Sequence, residues 1–308
     1  GEVWICSGQS NRQWTRRRSA NAEQAIADSA NPLIRLLTVP RQAMDQPQST
    51  AEISWSHCTP ETTPDFTAVG YYFGAALARD LEVPIGLINT SYGGTPAEAW
   101  TRHETLAGDD ELSVLPEYFA ALREQWPETK ARYDEAVAKW QTAADEAKAA
   151  GNDPPAKPRA PLNPFTFKNR PSGLYNAMIA PLVPYAIRGA IWYQGESNAP
   201  RATQYKKLFP TMISDWRDAW GQGDFPFLFV QLAPFRKIVD EPVESDWAEL
   251  RDAQLYTMRT LPNTAMAVIT DVGEEDDIHP KKKKPVGERL ALGALALAYG
   301  QDVEYSGP

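Results

Sequence analysis

The chain is poor in the residues that many chemistries require. Its 308 residues hold two cysteines, Cys6 and Cys58, and three histidines. Cysteines so far apart form no metal motif, and none of the His and Cys spacings is that of a metal site, so no metal or organic cofactor is expected. The two thiols could pair in an oxidising compartment, but two buried free thiols is the simpler expectation. Positive charge is also scarce: 31 Lys and Arg stand against 40 Asp and Glu, a formal charge of −9. Binding a phosphate backbone needs the opposite balance, which excludes nucleic acid as the main partner. No apolar run approaches the length of a bilayer span, and no charged-then-apolar signal peptide is visible, so no membrane partner is expected. An initiator methionine is missing as well. The chain starts almost inside its first apolar segment and reads as a processed product or an excised domain.

What is present is a core. Hydrophobic residues make up 43%, with 10 Trp and 12 Tyr, which rules out a disordered chain. The length suits one large α/β domain, or such a domain with an insertion. Five short apolar or β-branched segments read as buried strands: Val3–Cys6, Val83–Ile88, Ile187–Tyr193, Phe225–Leu232 and Ala265–Thr270. Helical patterns separate them, the alternation of a parallel sheet. Phe66–Arg79 is one, with Asp65 as its N-cap; Tyr205–Trp220, Trp247–Leu261 and Pro285–Tyr299 follow, the last punctuated by Pro285 and Gly300. From about Gly108 to Ala160 the alternation stops. Tyr133, Val137 and Trp140 form an apolar stripe among charged residues, and Gly151 leads into a proline-rich extended stretch. These spacings predict a helical hairpin inserted at about 108–160.

Every predicted strand is followed by polar or glycine-rich residues. These are Ser10, Asn89 to Thr95, Gln194 to Asn198, Gln231, and Asp271 to His279. In an open α/β sheet such residues share the carboxyl edge, where chemistry is done. Ser10 offers a hydroxyl there, and a serine hydroxyl needs a base to take its proton. Of the three histidines, His103 lies in a charged stretch expected to face solvent, and His57 reads as a core or rim residue. His279 sits in Asp276-Asp277-Ile278-His279-Pro280 with acids beside it that can orient an imidazole. The glycines of Ser91-Tyr92-Gly93-Gly94-Thr95 could bring an amide N–H to a developing oxyanion, and Gln194 could add a carboxamide. Taken alone, either is equally a simple turn or a strand-end hydrogen bond.

Arg12 and Arg16-Arg17-Arg18 follow Ser10 closely. Arg12 is a candidate to bind the carboxylate of an anionic sugar through its guanidinium, against the plainer reading of a solvated loop. Lys281 to Lys284 read as a solvated start to the last helix. Trp14, Trp55 and Trp100 lie near strand ends and could stack on a sugar, though most tryptophans pack.

Several segments resemble the sialate O-acetylesterase family. They are Gly1 to Asn11 (ending Ser7-Gly8-Gln9-Ser10-Asn11), Tyr92-Gly93-Gly94-Thr95-Pro96-Ala97-Glu98-Ala99-Trp100, Leu174 to Leu182, Ile191 to Ala199 (containing Gln194-Gly195-Glu196-Ser197-Asn198), and Asp277-Ile278-His279-Pro280 followed by Val286 to Ala291. The resemblance implies an SGNH hydrolase: a flavodoxin-like three-layer αβα sandwich, here with a five-stranded parallel sheet and a helical insertion, as one catalytic domain over 1–308. It implies a serine esterase acting on acetylated carbohydrates without a cofactor. Ser10 would be the nucleophile and His279 the base. The oxyanion hole would comprise the Ser10 backbone, Gly94 (alternatively Gly93) and Gln194, with Glu196 and Asn198 supporting the loop. Asp276 has the spacing usual for the third member, whereas Asp277 is the Asp of the family's Asp-Ile-His-Pro string; Asp276 is preferred. Related enzymes on this scaffold acting on xylan, xyloglucan or pectin, and a non-catalytic carbohydrate-binding module, are the alternatives. By resemblance the compartment is extracellular, periplasmic or lysosome-like.

Two departures stand out. Arg12 replaces the Met usual after Gly-Gln-Ser-Asn, and the β-rich regions that flank the hydrolase core in many members are absent from this chain.

Overall fold

A computed structural model describes residues 2–241 and 243–306. Among them seven strands form one sheet: β1 (Glu2–Gly8), β2 (Asn31–Thr38), β3 (Ser56–Cys58), β4 (Ile85–Asn89), β5 (Gly189–Tyr193), β6 (Phe227–Val230) and β7 (Thr264–Ala267). Their order is β3-β2-β4-β1-β5-β6-β7. All neighbours run parallel except β3, which pairs antiparallel with β2. The expectation of five parallel strands is thereby corrected to a mixed sheet of seven. The five predicted strands are all present, and β2 and β3 extend the sheet beyond β4.

The helices are α1 (Ser10–Gln13), α2 (Ala22–Ala27), α3 (Ala68–Leu81), α4 (His103–Ala107), α5 (Val114–Ala149), α6 (Ala202–Trp220), α7 (Asp246–Thr260) and α8 (Lys284–Tyr299). Side-chain alternation along the strands sorts them into layers. In β6, Phe227 and Phe229 meet Phe209 of α6, while Leu228 faces Gly293 of α8. In β1, Trp4 meets Phe73 of α3 edge-on at 5.0 Å, and Gly287 of α8 fits against Val69 and Phe73 of the same helix. So α3 and α8 cover one face of the sheet and α6, packed with α7, covers the other. Trp192 of β5 anchors the second interface, with Trp100 and Trp216 edge-on at 6.0 and 5.9 Å.

Helix ends follow local chemistry. The cap of α3 is Thr67, whose hydroxyl accepts from Gly70 N–H, rather than Asp65, which is exposed and pairs with Arg17. Ser245 caps α7 in the same way, and α8 ends at Gly300 in the left-handed region.

In place of a helical hairpin, the insertion holds one 36-residue helix, α5, with an extended return. The prolines of 154–161 bar a second helix, and Trp140 donates its indole N–H to the Pro155 carbonyl, tying the return to α5. Both cysteines are free and buried, and burial pushes the Cys58 thiol up to about 11. No helix among the described residues is long and apolar enough to cross a membrane.

Candidate active site

Parallel pairing brings the carboxyl ends of β4, β1 and β5 side by side, with Cys6 opposite Asn89 and Gly8 opposite Tyr193. The chain then turns sharply at Gly8 (φ +131°), where a Cβ would stand 2.2 Å from the Tyr193 carbonyl oxygen. Only glycine fits. Gln9 is fixed on both sides: its N–H donates to Tyr193 O at 2.9 Å, and its Oε1 accepts from Ser197 N–H at 3.2 Å. Ser10 follows as the first residue of α1, so its own N–H has no intrahelical acceptor. It is partly exposed on the sheet edge.

The two ends of the chain meet here. Asn11 Nδ2 donates to Ile278 O at 2.8 Å and to Glu196 Oε1 at 2.7 Å. Its Oδ1 accepts from Lys283 Nζ. Trp14 stacks on the His279 ring, centroids 5.4 Å apart and planes within 19°, and the Arg18 guanidinium covers Trp14 at 3.9 Å. Ser10 and His279 therefore sit on adjoining segments tied through Asn11. No hydrogen bond joins their side chains among the described residues, as is common before substrate arrives.

His279 is half-buried. Burial, Lys283 and Arg18 push its pKa below the usual imidazole range, and Asp277 opposes them. The ring is thus neutral, and able to accept a proton, near neutral pH. Asp277 accepts the His279 backbone N–H at 2.8 Å, and its Oδ1 lies 3.9 Å from Nδ1. Asp276 is exposed. Of the two acids it is Asp277 that faces the imidazole, against the preference drawn from spacing.

The glycine turn lies beside Ser10: a Cβ on Gly93 would sit 3.4 Å from Ser10 Cα and Cβ. The Gly93 N–H is taken by Gln13 Oε1 at 2.6 Å. The Gly94 N–H takes part in none of the turn's hydrogen bonds, and Gly94 adopts φ +69°. Lys168 Nζ donates to Gly93 O and sits 4.6 Å over the Tyr92 ring.

Gln194 has a different position from the one expected. It is fully buried; Nε2 donates to Asn198 Oδ1 at 2.6 Å and Thr95 O at 3.3 Å, and Oε1 accepts from Tyr205 OH. It braces the glycine turn from behind. Asn198 extends the brace, accepting from Ala97 N–H and donating to Glu98, which Arg201 pairs in turn. Glu98 was not singled out from the sequence, although it stands in the Gly93–Trp100 motif.

Arg12, expected at the substrate, is wholly buried and donates to Thr67 Oγ1 at 2.8 Å. The arginine triplet divides: Arg16 is buried between Tyr71 and Tyr72, whereas Arg17 and Arg18 are exposed. Of the lysine run, Lys283 alone turns inward. Trp100 is core and Trp14 backs the imidazole, while Trp55 stays partly exposed. His57 and His103 are exposed, His57 on the edge strand β3 and His103 at the start of α4. A cleft of about 770 Å³ opens between α2, α3 and the start of α8, behind Lys283, and Ser10 does not line it.

Residues 165–296 match the family model of a carbohydrate esterase, sialic acid-specific acetylesterase. Over its full length the chain is 33% identical to the sialate O-acetylesterase of Homo sapiens and 34% identical to that of Mus musculus. The chain is similar to this family over its whole length. It covers 55% and 58% of those two proteins, so it spans little more than half the length of the curated relatives it matches. Among solved structures, a carbohydrate acetylesterase from Xanthomonas citri superposes with a TM-score of 0.77 at 35% identity, covering 100% of this chain and 59% of that one. An Arabidopsis thaliana protein shares the fold at TM-score 0.52 and 17% identity, over 98% and 99% of the two chains. The family match takes in the Gln194–Asn198 loop and the His279 turn. Ser10 lies outside it and is tied in through Asn11.

Proposed function

We propose that this chain is a serine esterase that removes O-acetyl groups from carbohydrate hydroxyls, on a flavodoxin-like αβα scaffold of the SGNH type. The observation that carries the reading is the bridge from Asn11 to the Ile278 carbonyl. It ties the residue after Ser10 to the residue before His279. In this mechanism the neutral imidazole removes the Ser10 proton, and the oxygen attacks the acetyl carbonyl. The oxyanion is met by the N–H groups of Ser10 and Gly94, both unspent within their own turns. Asp277 steadies the imidazolium, which protonates the leaving sugar hydroxyl. Water then attacks the acetyl-enzyme, with His279 again as base, and acetate leaves. Gln194, Asn198 and Glu98 hold the glycine turn in place. Glu196 does so for the nucleophile turn, through Asn11.

The cation nearest the glycine turn is Lys168, 3.6 Å from the place a Cβ on Gly94 would take. This favours an acetylated sugar bearing a carboxylate over neutral xylan, with Lys168 in the part expected of Arg12. Acetate release from acetylated sialosides, pectin, xylan and xyloglucan tests that choice; faster turnover on neutral xylan overturns it. The reaction itself is tested by Ser10→Ala, which should lower hydrolysis of a chromogenic acetate by about 10³-fold or more while the fold persists. Undiminished turnover in that variant refutes both the nucleophile and the alternative of assigning the chain any Ser10 chemistry.

A further inference from the structure

We propose that Lys283 is a positioning residue for this reaction: through the Asn11 side chain it locks the Ser10 turn to the His279 loop in one relative placement. The inference rests on reading Ser10 and His279 as nucleophile and base. Lys283 is 1% exposed in a run whose other three lysines face solvent. An ammonium is strongly hydrated and costly to bury, so its burial calls for compensation inside the fold. The acceptor it meets is Asn11 Oδ1.

An ammonium donates and never accepts, so it decides which end of the amide faces it. With Oδ1 on Lys283, the two Nδ2 hydrogens reach two acceptors, Glu196 Oε1 and the Ile278 carbonyl. If the amide turned over, its NH₂ would face the ammonium and its oxygen would face a carboxylate and a carbonyl. All three contacts would be lost and each replaced by repulsion. The charge on Lys283 thus makes a two-state amide single-state. The amide's two attachments are one peptide from Ser10 and one peptide from His279.

A second effect is electrostatic. Lys283 is one of three charged groups acting on His279, with Asp277 and Arg18, and its Nζ lies 5.6 Å from the Trp14 ring that stacks on the imidazole. Burial pulls the Lys283 pKa down to about 7, and Glu196, Asp277 and Glu274 oppose it, with the Tyr193 ring at 5.6 Å; the ammonium that orients the amide is therefore the form present across the acid limb. Two of its anionic neighbours therefore belong to the base turn and one to the loop under the nucleophile.

The test is steady-state hydrolysis of a chromogenic acetate by the full chain over a pH series. Lys283→Met keeps the unbranched apolar stem of the side chain and removes its charge. Its kcat should fall about tenfold or more with KM within about twofold, since misplacement of reacting groups costs turnover rather than binding. The acid limb of kcat/KM should move to higher pH, because a lost positive neighbour lets the imidazole hold its proton longer. Lys283→Arg keeps the charge and should leave the acid limb where the wild type has it. An acid limb unmoved in Lys283→Met, or moved equally in Lys283→Arg, overturns the proposal, as does wild-type kcat in Lys283→Met. If Lys283→Met does not fold, Asn11→Asp decides: it keeps an acceptor for the lysine and removes both amide donors. A lower kcat at constant KM in that variant supports the lock, and wild-type kcat overturns it. Ser10→Ala in the same series separates the two readings. Activity there ends the esterase assignment, whereas an inactive Ser10→Ala beside an unaffected Lys283→Met ends the role of Lys283 alone.

Discussion

The turn that carries the proposed nucleophile and the turn that carries the proposed base (the nucleophile turn and the base turn) are built differently. Gly8 to Asn11 lies between two strands of the parallel sheet and is held by a dense set of hydrogen bonds: Gln9 to the loop after β5, Asn11 to three partners, Gln194 and Asn198 to the glycine turn. The base turn, Asp271 to His279, follows the last strand and is largely exposed. It is held at discrete points: the Ile278 carbonyl on Asn11, the His279 ring on Trp14, Asp277 on its own backbone, and Asp271 on Arg289. A group that must attack along one line gains from a rigid seat, and a group that carries a proton to and fro needs less. Substitutions that disturb the backbone seat of the first region should therefore cost stability, and those in the second should cost turnover with little loss of stability.

Gly8→Ala is the severest test of the first half. The added methyl would overlap the Tyr193 backbone, at a φ that L residues rarely adopt. A loss of about 3 kcal/mol or more is expected, read as a lower midpoint in urea unfolding. A loss below about 1 kcal/mol would mean that the turn yields and that the seat is not rigid.

Asp277→Asn tests the second half, with Asp276→Asn as its control. Losing the carboxylate removes the one charge that raises the His279 pKa, so the acid limb should move to lower pH. It also frees the imidazole, and kcat should fall about ten- to a hundredfold with the melting temperature almost unchanged. Asp276→Asn, altering an exposed side chain, should change kcat less than about twofold. The reverse ranking would return the third role to Asp276.

The same contrast explains what could be read from the sequence. The five predicted strands were legible because each is a short, mostly buried apolar run, and such runs differ plainly from their polar flanks. β2 was not, since Pro32 opens it and Arg35 interrupts it, leaving a half-exposed pattern near the sheet's edge. β3, at three residues, has too few positions for any period. At the candidate site, chain order was enough to place Ser10, the glycine turn and His279 at strand ends, which share an edge in a parallel sheet. It could not say which way each side chain turns. Arg12 and Lys283 sit in basic runs that read as solvated, yet the fold buries both. Asp276 and Asp277 differ by one position in a tight turn, which is enough to point one at the imidazole and the other at water. Facing in irregular segments is set by tertiary contacts, and local spacing carries little of that information.

The smallest effect belongs to the outer anchor of the base turn. Arg289 of α8 makes a two-pronged pair with Asp271, at 2.5 and 2.6 Å, and also donates to the Val268 carbonyl. The guanidinium holds the Asp271 carboxyl down to about 2. A carboxyl whose pKa is depressed on folding stabilises above its unfolded pKa, about 4, and loses that contribution as pH falls through its folded value. Asp271 is exposed and Arg289 is about a third exposed, so screening keeps the contribution small. Arg289→Ala should lower the melting temperature by only a few degrees at neutral pH, and the gap to the wild type should close as pH approaches about 2. Because this pair touches the turn at its start and not at His279, kcat should hardly change. A marked fall in turnover would show that the turn depends on its outer anchor as much as on Asn11 and Trp14, and the division between a seated nucleophile and a pinned base would have to be redrawn.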